Sequence, residues 1–447
     1  MNKHNCALSR IPSAFALTLA TLTLGFLAAA CENTNTGNNN PGGTNNASPA
    51  SSTNTATNTQ GLKIGSLLPT TGDLGTIGQQ MAAAVPLLVE TVNSCGGVNG
   101  ERVTLVAEDD QTDPRAGAAA MTKLANVDRV AGVVGSFASS VSSAAVPIAV
   151  RNKVMLISPG STSPVFTQRA SKGEFQGYWA RTAPPDTYQA QALAQLANER
   201  GFKRVSTVVI NNDYGVGFEK AFVETFKKSG GTVVNEANPI RYDPKATTFE
   251  TEASAAFAGK PNAVLAVMYE ETGSILLKSA YQQGLTEGVQ IMLTDGVKSA
   301  GFPGKVGKAS DGKYIISGAI GTVPGADGKA LEALNKTWEA KYNKPPGEYG
   351  PHAWDAAALL TLAAQAAKSN TGQGIASKIR EVSNAPGTEV TDVCKGLELL
   401  RQGQDINYQG ASGNVDIDQN GDVVGVYDVW TVKDDGKLNV TGKVSPQ

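Results

Sequence analysis

Histidine is nearly missing from this chain, with two in 447 residues, and only His352 lies beyond the first thirty. A Ser-His-acid hydrolase needs that base beside a nucleophile elbow, and no G-x-S-x-G occurs. His352 sits in GPHAWDAA at the start of a helical pattern with apolar Trp354, Ala357 and Leu360, so a capped surface or interface histidine is expected. No G-x-x-x-x-G-K-[ST] and no strand-linked G-x-G-x-x-G is present, which leaves nucleotide cofactors without support; no cofactor is expected. Basic blocks are absent, so nucleic acid is excluded as a partner. Beyond residue 30 no apolar run approaches a membrane span, and the body from Leu62 onward is expected to be soluble and exported.

Two acidic clusters could in principle carry chemistry. Asp109/Asp110 and Glu270/Glu271 are adjacent carboxylates at strand ends, read as a solvated rim and not as a glycosidase pair. Asp416, Asp418, Asn420, Gly421 and Asp422 mimic the first half of a calcium loop, but the twelfth position is Tyr427 where a bidentate Glu is required. That segment reads as a hairpin turn, and no metal is expected.

The N-terminus is a targeting segment. Lys3 and Arg10 supply positive charge, Ala14 to Leu27 is an apolar core too short to span a membrane, and Ala28-Ala29-Ala30-Cys31 follows. Ala28-x-Ala30 fits ordinary signal peptidase, whereas the same residues with Cys31 resemble a lipoprotein box in which Ala28 replaces the commoner Leu. The tract from Glu32 to Gly61, rich in Asn, Thr, Gly and Ser, cannot bury a core and suits a tether, which favours lipidation at Cys31. Residues 1–30 are thus read as a signal peptide and 31–61 as anchor and tether. Removing residues 1–30 leaves 36 basic and 40 acidic residues, a net charge of −4. Cys6 leaves with the signal and Cys31 takes the lipid. Cys95 and Cys394 remain, an even pair in an oxidising compartment, and a disulfide is expected.

Short apolar strands alternating with helical segments define the body. Strands are expected at Lys63 to Pro69, Val103 to Asp110, Val130 to Phe137 and Val154 to Ser158. Asp113-Pro114 has the capping acid and first-turn proline that open a helix. The pattern restarts after Arg181, with strands at Arg204 to Asn212, Gly231 to Ile240, Ala263 to Tyr269, Gln290 to Thr294 and Tyr314 to Gly318. Helices then dominate Leu331 to Arg380, and a terminal hairpin is expected around Asn420-Gly421. The fold class is α/β: two doubly wound parallel-sheet lobes with a ligand cleft between them. The expected boundaries are 62–184 plus 319–412 for the first lobe and 185–318 plus 413–447 for the second.

Val130 to Pro164 carries the chemistry that is present. Its strands end in two hydroxyl-rich turns, one at Ser139-Ser140 and one at Pro159-Gly160-Ser161-Thr162-Ser163. At the carboxyl edge of a parallel sheet, such turns and a helix N-terminus suit a small anion such as a carboxylate.

The order of motifs resembles the type I periplasmic binding proteins of the leucine/isoleucine/valine-binding family. The resemblance is carried by GGVNGERV (Gly96–Val103), EDDQTDPRAG (Glu108–Gly117), VVGSFASS (Val133–Ser140), ISPGSTSP (Ile157–Pro164), NNDYGVGF (Asn211–Phe218), LTDGVKS (Leu293–Ser299) and the last hairpin. GLELLRQGQDINYQGASG, beside Cys394, is most similar to cyanobacterial neutral amino-acid receptors. The resemblance implies an extracytoplasmic receptor, a monomer and not an enzyme, that hands free amino acids to an ABC permease. Ser139 and Thr162, with Ser161 beside it, would hold the ligand carboxylate, and the Gly160 carbonyl would accept from its ammonium. Asp295 would bind the ammonium and Tyr214 would close over the ligand. Asp186 is placed by a looser match to glutamate-receptor lobes, and Tyr269 would line the pocket. Ile77 stands where leucine-preferring relatives carry an aromatic residue, and Ala138 replaces a cysteine of some relatives. Neutral amino acids in general are therefore expected as ligands, with urea or short amides, or a sensor of the same fold, as the alternatives.

Overall fold

The computed structural model describes residues 61–445. The signal segment, Cys31 and the tether up to residue 60 lie outside the described residues. Among the described residues no helix is long and apolar enough to cross a membrane.

The first sheet is wholly parallel, in the order Thr104–Asp109, Lys63–Leu68, Gly132–Gly135, Met155–Ser158, Trp179–Arg181. Its inner strands Lys63–Leu68, Gly132–Gly135 and Met155–Ser158 are buried on both faces, whereas the edge strand Thr104–Asp109 is partly exposed. Alternation divides the side chains between those faces. Val133 and Leu156 join Met121, Leu124 and Val146 on one side. Val134 and Ile157 join Met81, Val85 and Leu88 on the other. The helix Pro114–Asn126 begins as its sequence dictates, with the Asp113 carboxylate accepting from the Arg115 and Ala116 N–H groups and Pro114 in the first turn.

The second sheet runs Leu438–Val444, Tyr427–Val432, Ile320–Pro324, Gln290–Leu293, Ala263–Val267, Arg204–Ile210, Thr232–Val233, with Ile240–Tyr242 also on Arg204–Ile210. It is parallel except for its two C-terminal strands, which are antiparallel. We call each sheet with its packed helices a lobe.

Three expectations need correction here. The strand expected at Tyr314 to Gly318 lies instead at Ile320–Pro324, because Gly318 takes a left-handed φ of 81° and ends the first apolar run in a turn. Ile320–Pro324 pairs with Gln290–Leu293 (Met292↔Ile320), so the segment from 319 enters the second lobe before returning to the first. The expected hairpin around Asn420-Gly421 is a tight turn, closed by Asp418 and Asp422, without paired strands on either side. Residues Gly413–Asn414 pair with Ile406–Gly410 on the first lobe, and the terminal hairpin is made by Tyr427–Val432 and Leu438–Val444. The run Gly231 to Ile240 breaks into two short strands, Thr232–Val233 and Ile240–Tyr242.

The chain therefore crosses between lobes after Arg181, after Pro324 and between Asn414 and Tyr427. Asp355, on the helix Gly350–Ala366, fixes the start of the last crossing by accepting from the Tyr408 hydroxyl, the Ala411 and Ser412 N–H groups and the Ser412 hydroxyl.

Cys95 and Cys394 are joined, with Cα atoms 5.7 Å apart across a sequence separation of 299. Both ends lie on the first lobe, so the bond closes a loop that contains the second lobe except for its two C-terminal strands, Tyr427–Val432 and Leu438–Val444. Cys95→Ala with Cys394→Ala is expected to lower unfolding stability by about 2–5 kcal/mol in denaturant titration. Peptide mapping without reductant should recover the cross-linked pair, and two free thiols would contradict the assignment.

Candidate functional site

The two hydroxyl-rich turns are bound to each other. Ser158 Oγ donates to the Ser136 carbonyl (2.5 Å) and accepts from the Ser161 N–H (2.8 Å). Ser161 Oγ reaches the Ser136 carbonyl (3.0 Å) and Ser142 Oγ (2.8 Å). Ser161, expected on the ligand beside Thr162, therefore has its hydroxyl committed to tying the turns together. Asp110 anchors the same network by accepting from the Ser136 hydroxyl and the Thr112 N–H. Burial holds its carboxyl up, at about 6.

Ser139 begins the helix Ser139–Asn152 at its first position, with Ala138 as the cap, and its hydroxyl accepts from the Ser163 N–H at 3.2 Å. The Val141 and Ser142 N–H groups donate to the Ala138 carbonyl, and the Ser139 and Ser140 N–H groups precede any possible acceptor within the helix. Thr162 is fully buried, and its hydroxyl has no hydrogen-bond partner.

Two acids from the second lobe face this edge. Asp295 follows the strand Gln290–Leu293, and its carboxylate accepts from the Tyr214 hydroxyl (2.9 Å) and from the Tyr349 hydroxyl (2.8 Å). Asp186 opens the helix Asp186–Glu199 directly after the first crossing, and its N–H donates to the Thr162 carbonyl at 2.8 Å. It is completely buried, and neither carboxylate oxygen accepts a hydrogen bond of ordinary geometry, although the nearby Thr162 hydroxyl and the Arg181 charge favour its ionised form in part. Burial and the Asp295 charge push the Asp186 carboxyl well above the usual carboxylate range, and burial raises Asp295 too.

The buried Arg181 guanidinium nearby is already engaged. Arg181, with no exposed surface, donates through Nε to Asp422 (2.7 Å), through Nη1 to the carbonyls of Ser161 (2.9 Å) and Ser163 (3.0 Å), and through Nη2 to Thr167 (2.8 Å). It holds the second turn from behind and fastens it to the loop of the last crossing.

A cavity lies between the lobes. From the first lobe it is lined by Leu74, Phe137, Ala138, Ser139 and Gly160; from the second by Tyr214, Tyr269, Asp295 and Gly296. Tyr214 and Tyr269 stack, with centroids 5.7 Å apart. Ser139, Gly160, Tyr214, Tyr269 and Asp295 thus line one cavity, and Thr162 and Asp186 are buried. Ile77 does not reach the cavity; it packs into the first lobe's core, and Leu74 represents that turn instead. Phe137 and Tyr349 were missed, since a lone aromatic in an apolar run and a tyrosine before a helix give no signal of a site in sequence.

The other candidates lie away from this cavity's lining. His352 is buried against the Tyr349 ring, which lowers its pKa to about 4, and its carbonyl accepts from Thr182. Asp110 and Glu270 are buried and not on a solvated rim, and Glu270 lies 3.0 Å from Lys305. Asp422 of the calcium-loop mimic serves Arg181, and among the described residues no cluster of His, Cys, Asp and Glu could hold a metal.

The lobes touch across the cleft. Ser163 Oγ donates to the Asp213 carbonyl (2.7 Å), and Lys298 pairs with Glu348. Asp73, in the turn after the first strand, caps the helix Glu270–Gln282 of the opposite lobe through the Glu271 N–H (2.7 Å) and the Thr272 hydroxyl (2.9 Å).

Two doubly wound lobes enclosing a polar cleft define the class of type I periplasmic binding proteins. The family model described as "receptor family ligand binding region" matches residues 80–435, and the chain belongs to that family, within the leucine/isoleucine/valine-binding group. It is 27% identical over 365 residues to the chemotactic signal transduction system substrate-binding protein BasB of Halobacterium salinarum, covering 80% of this chain and 84% of that one. It is 29% identical over 326 residues to Leu/Ile/Val-binding protein homolog 1 of Brucella abortus, covering 71% and 82%. The crystal structure of the leucine-binding protein LivK of Thermotoga maritima superposes with a TM-score of 0.72 at 25% identity, covering 86% of this chain and 99% of that one.

Asp422→Ala leaves the Arg181 charge buried without its partner, which is expected to cost about 3–5 kcal/mol of unfolding free energy in denaturant titration. A loss below about 1 kcal/mol would show that the pair holds nothing together.

Proposed function

We propose that this protein is an extracytoplasmic receptor that binds neutral L-amino acids as zwitterions by lobe closure and delivers them to an ABC permease, tethered to the membrane through Cys31. The observation that supports this reading is Asp186: a buried carboxylate without a hydrogen bond of ordinary geometry, coupled to a second buried acid, beside a turn edge built for an anion. A buried carboxylate lacking a partner is costly, and a ligand ammonium would offset that cost. Ser139, the Thr162 hydroxyl and the helix N-terminus offer donors for the α-carboxylate. The Gly160 carbonyl, Asp295 and Asp186 offer acceptors for the ammonium.

Each charge-assisted hydrogen bond contributes about 1.5–3 kcal/mol when water is excluded. Four or five of them, less ordering costs, are compatible with micromolar binding, about −8 kcal/mol. A neutral amide or urea would leave both acids without a counter-charge, so these ligands fit less well. A signalling role is the second reading, favoured by the 27% identity to a chemotactic substrate-binding protein; it uses the same ligand site with a different partner.

Asp295→Ala and Asp186→Asn should each weaken amino-acid binding at least about 30-fold in titration calorimetry, the equivalent of about 2 kcal/mol. Unchanged affinity in both would place the ammonium elsewhere.

The pH dependence has a definite sign. In the free protein both carboxyls bind protons more tightly than an ordinary aspartate, and a bound ammonium favours their ionised forms. Binding therefore releases protons. Affinity is full above the free-protein pKa values and falls as pH drops through them, beginning above the ordinary value of about 4. A flat profile from about pH 8 to about pH 4 would contradict the ammonium site.

A further inference from the structure

Building on the closure reading above, we infer that Asp73 is a latch between the lobes, which strengthens the binding of every ligand by the same factor while touching none of them. Asp73 does not line the cavity. Its carboxylate crosses instead to the second lobe, where Oδ1 accepts from the Glu271 N–H (2.7 Å) and Oδ2 from the Thr272 hydroxyl (2.9 Å).

The receiving helix, Glu270–Gln282, is not capped from within its own lobe. Its N-cap residue is Tyr269, whose side chain makes no cap hydrogen bond. A helix start leaves its first N–H groups without partners inside the helix, and a side-chain acceptor placed there stabilises it. Here that acceptor comes from the opposite lobe, so it is present only while the lobes touch. The first turn also carries Glu270 and Glu271, and Lys305 pairs with both, offsetting the negative charge that Asp73 meets on arrival.

The first lobe presents Asp73 in a fixed place. Asp109 accepts from the Thr70 N–H (2.9 Å) and the Thr71 hydroxyl (2.6 Å), and the Leu74 N–H donates to the Thr112 hydroxyl (3.1 Å). Gly72 takes a left-handed φ of 80°, and a Cβ there would meet the Gln111 carbonyl oxygen at 2.1 Å. The residues on both sides of Asp73 are thus pinned to the strand Thr104–Asp109 and the turn after it. Little freedom is lost when the carboxylate docks.

The helix it caps begins at the wall of the ligand site. Tyr269 lines the cavity and stacks on Tyr214, whose hydroxyl donates to Asp295. The cap therefore couples contact between the lobes to the aromatic wall beside the proposed ammonium site. A contact made only in the closed state raises the affinity of every ligand that needs closure by one common factor. That common factor separates a latch from a residue that reads the ligand.

Titration calorimetry with L-alanine, L-serine and L-leucine tests the inference. Asp73→Ala should weaken every ligand that binds by at least about 5-fold, the equivalent of about 1 kcal/mol, with the ratios between ligands unchanged. Asp73→Asn keeps an acceptor of similar capping strength and should recover most of that loss. Thr272→Val removes the hydroxyl partner from the other side and should weaken every ligand by at least about 2-fold. It decides the matter should the Asp73 variants fail to fold. A smaller loss in Asp73→Ala, or Asp73→Asn as weak as Asp73→Ala, would overturn the latch. Unequal losses among the ligands would overturn it too, by placing Asp73 on the ligand. If the wild-type protein binds none of the three, the amino-acid reading fails, and the latch is decided on the free protein by distances between spin labels placed one on each lobe. A smaller closed fraction in Asp73→Ala would then support the latch, and an unchanged distribution would overturn it.

Discussion

Two carboxyl groups buried together with no cation between them are the constraint around which this molecule is arranged. Asp186 and Asp295 come from different elements of the second lobe, and closure sets them against the hydroxyl-rich edge of the first. Burying like charges is unfavourable, and their raised proton affinity expresses that cost. Tyr214 and Tyr349 moderate it at Asp295 through two hydroxyl donors, whereas at Asp186 only the nearby Thr162 hydroxyl and the Arg181 charge act against it, without a hydrogen bond of ordinary geometry. A ligand carrying its own positive charge stabilises the closed arrangement more than the open one, and only such a differential interaction can drive closure.

Arg181 shows how the rest of the fold supports that arrangement. It lies on the last strand before the first crossing, holds the Ser161 and Ser163 carbonyls from behind, and pairs with Asp422 in the last crossing. Ligand turn and hinge loop therefore share one buried side chain. Asp355 does related work at the start of the same crossing through four donors. The last crossing between lobes is thus tied at its start by Asp355 and in its loop by Arg181.

Much of this was legible in the residues. Alternating apolar runs gave the α/β order, Asp113-Pro114 gave a helix start, and the pair Cys95 and Cys394 gave the cross-link. The hydroxyl-rich turns were legible as turns at the carboxyl edge of the first sheet, where the structure places them beside the cavity. What escaped were features set by tertiary packing. Two apolar runs flank Gly318, and only pairing with Gln290–Leu293 decides that the second becomes the strand. Ser161 looks like a ligand residue until its hydroxyl is seen committed to Ser136 and Ser142. Phe137 and Tyr349 reach the site through contacts between elements more than 200 residues apart, which no local pattern announces. Ile77 has the converse history: its position in the first turn suggested the pocket, yet the helix turns it into the core.

The central claim is that the cleft recognises both charges of one small molecule. The most direct measurement compares L-alanine with propionate, which keeps the carboxylate and the methyl group and lacks the ammonium. The account predicts that alanine binds at least about 100-fold more tightly at neutral pH, since Asp186 and Asp295 are left without a counter-charge by propionate. Equal affinities, or tighter binding of propionate, would contradict it.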